Sequence, residues 1–555
     1  MEVKIISPLE KVFYHKKPQI ALRKNFTYYR ESFSFQFCFC AEKTEKYRLE
    51  IVSDIADCVE LYQPKFVSSC VNQFVNNYMS AEQDDYRIFV DDDARFYPDR
   101  LDPVPAEIAV VKGWQYAVWV RANASAPAGK HFIMLKITGN DGKTRGEKTA
   151  EFRVLPQSLE KCDIPVTLWT YYDCIADAHG APIFGDKYFE ILKNYFRFCV
   201  DRGVNTAFVP LFSHPQADRN GKTPNVTQLL SIEKTADGYR FDFSLVKKFI
   251  RLAKDCGCEY FEFSHLSNQK TAEYAPKIVG KKNGEKITLF GMDTPTCSED
   301  YLGFLKQLLQ ALRALLIDLR VYENCFFHVA DEPLFKSRDR YLRFAGKLKS
   351  FLPDGKFIDA VPAPDYSEGG YVIPVGSTQY GEIFKNSGVP HWVYYCCEEM
   401  YDHLSNRFLN HPLLRTRVIG AQLYLNGARG FLHWSLNYWY DIAKWQMVDT
   451  RYVANGNSSL PSGDCFIVYP AENAPATSER METFADAITD YRALKTLEKR
   501  RGKECAIALL EKYGFHGYTQ YPLSEEDFNA FESELAALIS EKKYIRERKG
   551  KCENH

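Results

Sequence analysis

The run Phe327-His-Val-Ala-Asp-Glu-Pro ends an apolar stretch on two adjacent carboxylates, Asp331 and Glu332. At the mouth of a cleft such neighbours repel and lose part of their hydration, which raises at least one pKa and suits a general acid. The same residues also read as a plain loop in which Asp331 caps a turn and Glu332 faces water. Nearby aromatic residues weigh against the plain loop. Five of the seven tryptophans, Trp169, Trp392, Trp434, Trp439 and Trp445, lie at or just past the ends of apolar runs. Tyr171, Tyr172, Tyr394, Tyr395, Tyr438 and Tyr440 join them. Aromatic faces pack on the C–H faces of sugars, while phenol and indole groups reach sugar oxygens. Any one of these residues is more often core than site, but the cluster favours a carbohydrate pocket. Asp173, after Trp169-Thr-Tyr-Tyr, is a candidate to touch substrate or to support residues that do. His265, His328 and His433 also stand near run ends, each as readily a structural histidine as a contact to a sugar hydroxyl.

These residues need a frame, and eight continuous apolar runs supply it. They are Pro165-Val-Thr-Leu-Trp, Asn205-Thr-Ala-Phe-Val-Pro, Tyr260-Phe-Glu-Phe-Ser-His and Cys325-Phe-Phe-His-Val-Ala, then Phe357-Ile-Asp-Ala-Val-Pro, Tyr371-Val-Ile-Pro-Val, His391-Trp-Val-Tyr-Tyr-Cys and Gly430-Phe-Leu-His-Trp-Ser. Loss of alternation is expected of parallel strands covered on both faces by helices. The intervening helices are legible too. Phe189, Leu192, Phe196 and Cys199 share a face ahead of Gly203. Ser298 is placed to cap a helix striped by Leu302, Leu305, Leu309, Leu312 and Leu316, and Ser337 to cap another carrying Tyr341, Phe344, Ala345 and Leu348. Helix signal is thin around the fifth and sixth strands. Strands alternating with helices predict a (β/α)₈ barrel over 158–502, with the chemistry at the carboxyl ends of its strands. A tail, 503–555, holds helical stretches such as Phe528 to Lys543 that are expected to pack on the barrel.

Residues 1–157 follow a different rhythm. Phe33-Ser-Phe-Gln-Phe-Cys-Phe-Cys, Trp114-Gln-Tyr-Ala-Val-Trp-Val-Arg and His131-Phe-Ile-Met-Leu-Lys-Ile alternate with period two. Ala126-Pro-Ala-Gly and Gly139-Asn-Asp-Gly mark turns, and the whole predicts an N-terminal β-sandwich that supports the barrel.

Composition narrows the function. The 555 residues carry 71 Lys+Arg against 72 Asp+Glu, so no basic field exists to hold a nucleic acid. No apolar run approaches membrane-spanning length. The start lacks the layout of a signal peptide, and the sixteen cysteines then read as reduced thiols, an expectation of a cytoplasmic protein. Neither H-E-x-x-H nor H-x-x-E-H nor a Cys-x-x-Cys pair occurs, so neither a metal nor another cofactor is expected. Cys396-Cys397 reads as packed thiols.

Several motifs together resemble a known family. Phe327-His-Val-Ala-Asp-Glu-Pro, Trp392-Val-Tyr-Tyr-Cys-Cys and Gly430-Phe-Leu-His-Trp-Ser-Leu-Asn-Tyr-Trp are three of them. Gly463-Asp-Cys-Phe-Ile-Val-Tyr-Pro, Ser478-Glu-Arg-Met-Glu and Asp490-Tyr complete the set. In this order, from about Pro165 to Leu497, they resemble the domain-of-unknown-function family 4091, whose characterised relatives are glycoside hydrolase family 123, the β-N-acetylgalactosaminidases. The resemblance implies an exo-acting β-N-acetylhexosaminidase whose substrate carries its own nucleophile, the 2-acetamido oxygen. Asp331 would then accept the acetamido N–H and Glu332 would serve as acid and base. Tyr394 matches the family's strand-seven tyrosine and would steady the acetamido carbonyl. Trp434 or Trp439 would form the sugar platform and Asn437 would bond a sugar hydroxyl. Two alternatives stand beside this one. Glu398 and Glu399 after the seventh strand are similar to the nucleophile position of a large clan of retaining barrel glycosidases, although those carry Asn where this chain has Asp331. A non-catalytic sugar-binding protein is the other.

Overall fold

A computed structural model of the chain describes residues 1–69, 95–212, 227–400 and 403–541. Two five-stranded sheets form the N-terminal part. In one, Phe33–Cys40 pairs antiparallel with Gln115–Ala122. The other is built on the long hairpin Gly129–Thr138 and Thr144–Ser158. Alternation sends Phe33, Phe35, Phe37 and Phe39 into the gap, where they meet Ile133, Leu135 and Ile137 of the opposite sheet.

The predicted runs all form strands: β1 (Val166–Leu168), β2 (Thr206–Val209), β3 (Tyr260–Phe263), β4 (Cys325–His328), β5 (Phe357–Ala360), β6 (Ile373–Ser377), β7 (Trp392–Tyr394) and β8 (Phe431–His433). They are parallel and lie in the order β2-β3-β4-β5-β6-β7-β8-β1. Only the β1–β2 seam has no strand ladder among the described residues. There the Asn205 side chain does the work of a strand pair. Its Oδ1 accepts the Val166 N–H at 2.8 Å and its Nδ2 donates to the Ile164 carbonyl at 2.9 Å. The eight strands thus form a (β/α)₈-type barrel, closed at one seam by a side chain.

Helices cover the outside. α1 (Asp186–Asp201) buries Phe189, Leu192, Phe196 and Cys199, and the chain leaves it through Gly203 at φ +81°. A Cβ at Gly203 would lie 2.8 Å from Ile488, so glycine is required there both by φ and by space. After α2 (Ser244–Asp255) comes α3 (Glu299–Asp318), whose N-cap Ser298 accepts the Tyr301 N–H as expected. Ser337, in contrast, makes no side-chain cap for α4 (Arg338–Phe351), because the chain enters α4 through a 3₁₀ turn, Phe335–Ser337, that already leaves Ser337 near helical φ/ψ. The thin signal between β5 and β6 has a cause: only a 3₁₀ segment, Pro364–Gly370, connects them. The length of the barrel region implies insertions, and the structure shows one of them as a four-stranded sheet, Ser231–Thr235, Gly238–Asp242, Ile278–Lys282 and Glu285–Phe290, placed around β2 and β3. Three helices end the described chain: α5 (Glu479–Arg501), α6 (Lys503–Lys512) and α7 (Glu525–Ser540). The predicted helix to Lys543 is α7, although residues 542 and 543 lie outside the described residues. No helix among the described residues is long and apolar enough to cross a membrane.

The sandwich and the barrel are joined by charge as well as by apolar packing. Asp99, from the sandwich strand Phe96–Pro103, receives Arg480 through Nε and Nη2, both at 2.9 Å, and the Tyr469 hydroxyl at 2.5 Å. Arg480 also donates to the carbonyls of Arg407, Gly463 and Phe466, and its side chain and that of Asp99 are fully buried. Two residues along α5, Glu482 takes Arg121 of the sandwich at 3.2 Å and Arg202 at 2.7 Å. The motif Ser478-Glu-Arg-Met-Glu is therefore a helix cap followed by two ionic anchors. Arg480→Met is expected to cost about 3–5 kcal/mol, because it strands a buried carboxylate. Burial alone would raise the Asp99 pKa, but Arg480 outweighs it and holds it below the ordinary value. The stabilisation is present above the unfolded carboxylate pKa and fades as pH falls through the folded one. Denaturant unfolding curves of wild type and variant should accordingly converge on acidification; equal stability at neutral pH would refute the anchor.

Candidate active site

Because all eight strands run the same way, residues just past their carboxyl ends share one rim. Asp331 and Glu332 lie three and four residues beyond β4, on a segment held from both sides. From the loop after β3, Leu266 N–H bonds the His328 carbonyl at 3.1 Å, Ser267 Oγ the Val329 carbonyl at 2.7 Å and Lys270 N–H the Asp331 carbonyl at 2.8 Å. From β5, Asp359 accepts the Ala330 N–H at 2.7 Å and the Ala360 carbonyl accepts the Glu332 N–H at 3.0 Å. Glu332 itself is left-handed, with φ +47°, a costly backbone state for a residue with a Cβ. That turn presents two neighbouring carboxyl groups to different surroundings.

Asp331 is the deeper, 5% exposed, and accepts from Gln269 Nε2 at 2.6 Å. Burial first, then the charges of Glu332 and Asp359, push its pKa up from the carboxylate range. Glu332 faces outward, its side chain 33% exposed. Its Oε2 pairs with the Lys270 ammonium and its Oε1 accepts the Tyr394 hydroxyl at 3.2 Å. Asp331, Glu332 and Tyr394 are thus brought together. Trp434 stands at the same rim just past β8, half-buried, its indole N–H donated to Asp464 at 2.9 Å and its ring edge-on to Tyr171.

The other expected substrate contacts need correction. Asn437 is fully buried and both ends of its amide are spent on the Tyr171 backbone, at 2.9 and 3.1 Å, so it shapes the rim and offers nothing to a sugar hydroxyl. Trp439 is fully buried and donates to the Val468 carbonyl at 3.0 Å; it is core, not platform. Trp169 and His265 stand at the carboxyl ends of β1 and β3 like the pair, but each is only 1% exposed, buried beneath the rim. Asp173 bonds the Thr227 hydroxyl, and burial lifts its pKa to about 6; among the described residues no hydrogen bond links it to the carboxylate pair. The Cys396 and Cys397 sulfurs are 3.9 Å apart, a thiol–thiol contact and not a disulfide.

Beneath the pair lies a buried polar chain. Trp169 Nε1 donates to Glu262 at 2.8 Å, the same Glu262 oxygen bonds His328, and His265 stacks on His328 with ring centroids 4.2 Å apart. Burial opposes charge on His328, but Glu262 and Asp359 override it and raise its pKa to about 9. His265, His328 and Asp359 are, among the described residues, close enough to share a metal ion, with donor atoms within 4.8 Å. His328 Nε2 is bonded to Glu262 and Asp359 Oδ2 to the Ala330 N–H, which leaves His328 Nδ1 and Asp359 Oδ1 facing each other at 3.9 Å. Glu262 and Asp359 were missed in the sequence, yet a lone carboxylate inside a four-residue apolar barrel strand was signal enough to flag both. Gln269 and Lys270 carried no such signal, because their partners are 62 positions away.

Comparison with known proteins agrees with this architecture. The family model described as glycoside hydrolase 123, catalytic domain, matches residues 169–497. The chain belongs to glycoside hydrolase family 123, and is therefore an enzyme that acts on carbohydrate. It is similar in structure to a family 123 glycoside hydrolase from Clostridium perfringens that hydrolyses glycolipid glycans. The TM-score is 0.71 at 14% identity, over 97% of each chain, a likeness of the whole fold. A β-glucuronidase from Parabacteroides merdae matches at TM-score 0.30 and 9% identity over 87% of this chain and 52% of that one, too little to carry an argument. No curated protein sequence matches.

Proposed function

We propose that the enzyme is an exo-acting, retaining β-N-acetylhexosaminidase of the N-acetylgalactosaminidase type in which the 2-acetamido group is the nucleophile. The observation that carries this reading is the placement of the adjacent carboxyls, Asp331 deep and Glu332 at the mouth. Two groups on one strand end approach a sugar from one side, whereas a protein nucleophile and an acid must flank the anomeric carbon about 5–5.5 Å apart. In the proposed reaction Glu332 gives its proton to the leaving oxygen as the glycosidic bond breaks. The acetamido carbonyl oxygen bonds to the anomeric carbon, and Asp331, accepting the acetamido N–H, balances the developing oxazolinium charge. Glu332 then takes a proton from water, which opens the ring with net retention. Tyr394, already within reach of Glu332, is placed to steady the acetamido oxygen, and Trp434 is the remaining candidate platform.

The opposed-glutamate alternative loses support. Glu399 is 2% exposed and committed to the Ser377 hydroxyl and to the Cys396 N–H at 2.6 Å, with its pKa lifted by burial to about 7. Glu398 is exposed to solvent. A panel of aryl β-glycosides tests the reading. The N-acetylgalactosaminide or N-acetylglucosaminide should be hydrolysed while the galactoside and glucoside stay near background. Efficient hydrolysis of the plain galactoside would overturn it.

A further inference from the structure

The resting site and the proposed reaction want the proton of the carboxylate pair in different places. Glu332 accepts at both oxygens, from the Lys270 ammonium and from the Tyr394 hydroxyl, which is the hydrogen-bonding pattern of a carboxylate. Asp331, buried beside that charge, is the member pushed toward its neutral form. Catalysis as proposed needs Glu332 protonated and Asp331 charged.

We infer that Lys270 is a positioning residue that parks the shared proton on Asp331 in the free enzyme, and that substrate moves it to Glu332 by displacing the ammonium. This rests on the proposed acetamido reading. A protonated Glu332 must donate from one oxygen, so one of its two donors has to leave. Tyr394 is fixed at the end of β7. Lys270 is a loop residue with a side chain 45% exposed, and its ammonium can swing into water. At the same time the acetamido N–H arrives at Asp331 and favours its charged form. The O–H bond on Asp331 then breaks and one on Glu332 forms, so the number of protons held by the pair is unchanged.

Other charged or titratable groups face the pair from every side. His328 lies on β4 itself, Asp359 comes from β5, and Glu399, Cys396 and Cys397 come from the loop after β7. All are buried or nearly so, whereas the Lys270 side chain reaches halfway into solvent.

The test has two arms, so that a wrong proton assignment and a wrong substrate can be told apart. In the first, ¹³C-carboxyl NMR of the substrate-free full chain is titrated in wild type, Asp331→Asn, Glu332→Gln, Lys270→Met and Lys270→Arg. The signal lost in the Asp331 variant should titrate well above the ordinary aspartate range, and above the signal lost in the Glu332 variant. Lys270→Met should bring the two together and Lys270→Arg should not. An ordinary aspartate titration, or no response to Lys270→Met, overturns the inference whatever the substrate. In the second arm, Lys270→Met should move the kcat/KM profile on an aryl N-acetylhexosaminide alkaline, the acid limb by about half a pH unit, the scale of a half-exposed ion pair, and the alkaline limb by less. The kcat profile, which reports a complex from which the ammonium has already gone, should stay in place. Equal movement of both profiles would show that Lys270 is never displaced. Absence of turnover on every acetamido substrate would instead sink the substrate reading, with the NMR arm still deciding where the resting proton lies.

Discussion

Glu332→Gln should lower turnover by roughly 10²–10⁴-fold on substrates with poor leaving groups, the usual range for loss of a general acid. The amide can still accept from Lys270 and Tyr394 but has no proton to give to the departing oxygen. The defect should therefore shrink on an activated aryl glycoside, whose leaving group departs with little protonation. It should return in the second half of the reaction, where water needs a base, and azide should accelerate the variant by replacing that water. The site is otherwise preserved, since Glu332 is partly exposed and its backbone N–H, bonded to Ala360, is untouched by the change. A folded variant with wild-type rates on a natural disaccharide would remove Glu332 from the role.

Asp331→Asn should be comparably severe, by roughly 10²–10³-fold, although Asp331 never touches the anomeric carbon. Its task is charge. Asparagine fills the same space beside Gln269 but cannot balance an oxazolinium. Two independent observations should accompany the loss. A thiazoline that mimics the bicyclic intermediate should inhibit wild type competitively and bind the variant much more weakly. A 2-fluoro sugar, which traps protein nucleophiles, should label neither Glu398 nor Glu399. Glu399→Gln should slow turnover less than either change at the pair, because its carboxyl is held by Ser377 and the Cys396 backbone and not by the cleft. A labelled Glu398 or Glu399 would reverse the assignment.

Much of this was readable from the chain, and the limits follow from physics. Buried parallel strands must be apolar on both faces, so β1 to β8 stood out as continuous runs, and the parallel arrangement put Asp331, Tyr394 and Trp434 at one rim. What lay past the strand ends was less legible. Trp434 and Trp439 are both aromatic and five residues apart, yet one faces the rim and the other is core. The loop after β8 turns back to pair Asn437 with Phe466, and nothing local reports that turn. Asn437 was read as a sugar contact because its amide chemistry fits one equally well as it fits the Tyr171 backbone. Lys270 and Gln269 were invisible because their meaning is wholly non-local. Glu332 could not be seen as left-handed, since the conformation is imposed by Ala360 and the β3 loop rather than by its own side chain.

The ionic joint at Asp99 bears on how such an enzyme can be inherited or engineered. Residues 169–497 carry the family signature and the site, and look like a cassette to be lifted out or grafted onto another binding module. Cutting there would take Asp99 from Arg480 and Arg121 from Glu482, leaving the guanidinium without its carboxylate and Glu482 with Arg202 alone. A new partner would have to bring a carboxylate and a guanidinium at matching positions, two coincidences rather than one. Sandwich and barrel are therefore expected to travel through evolution as one cargo, with changes confined to the rim loops that choose the sugar.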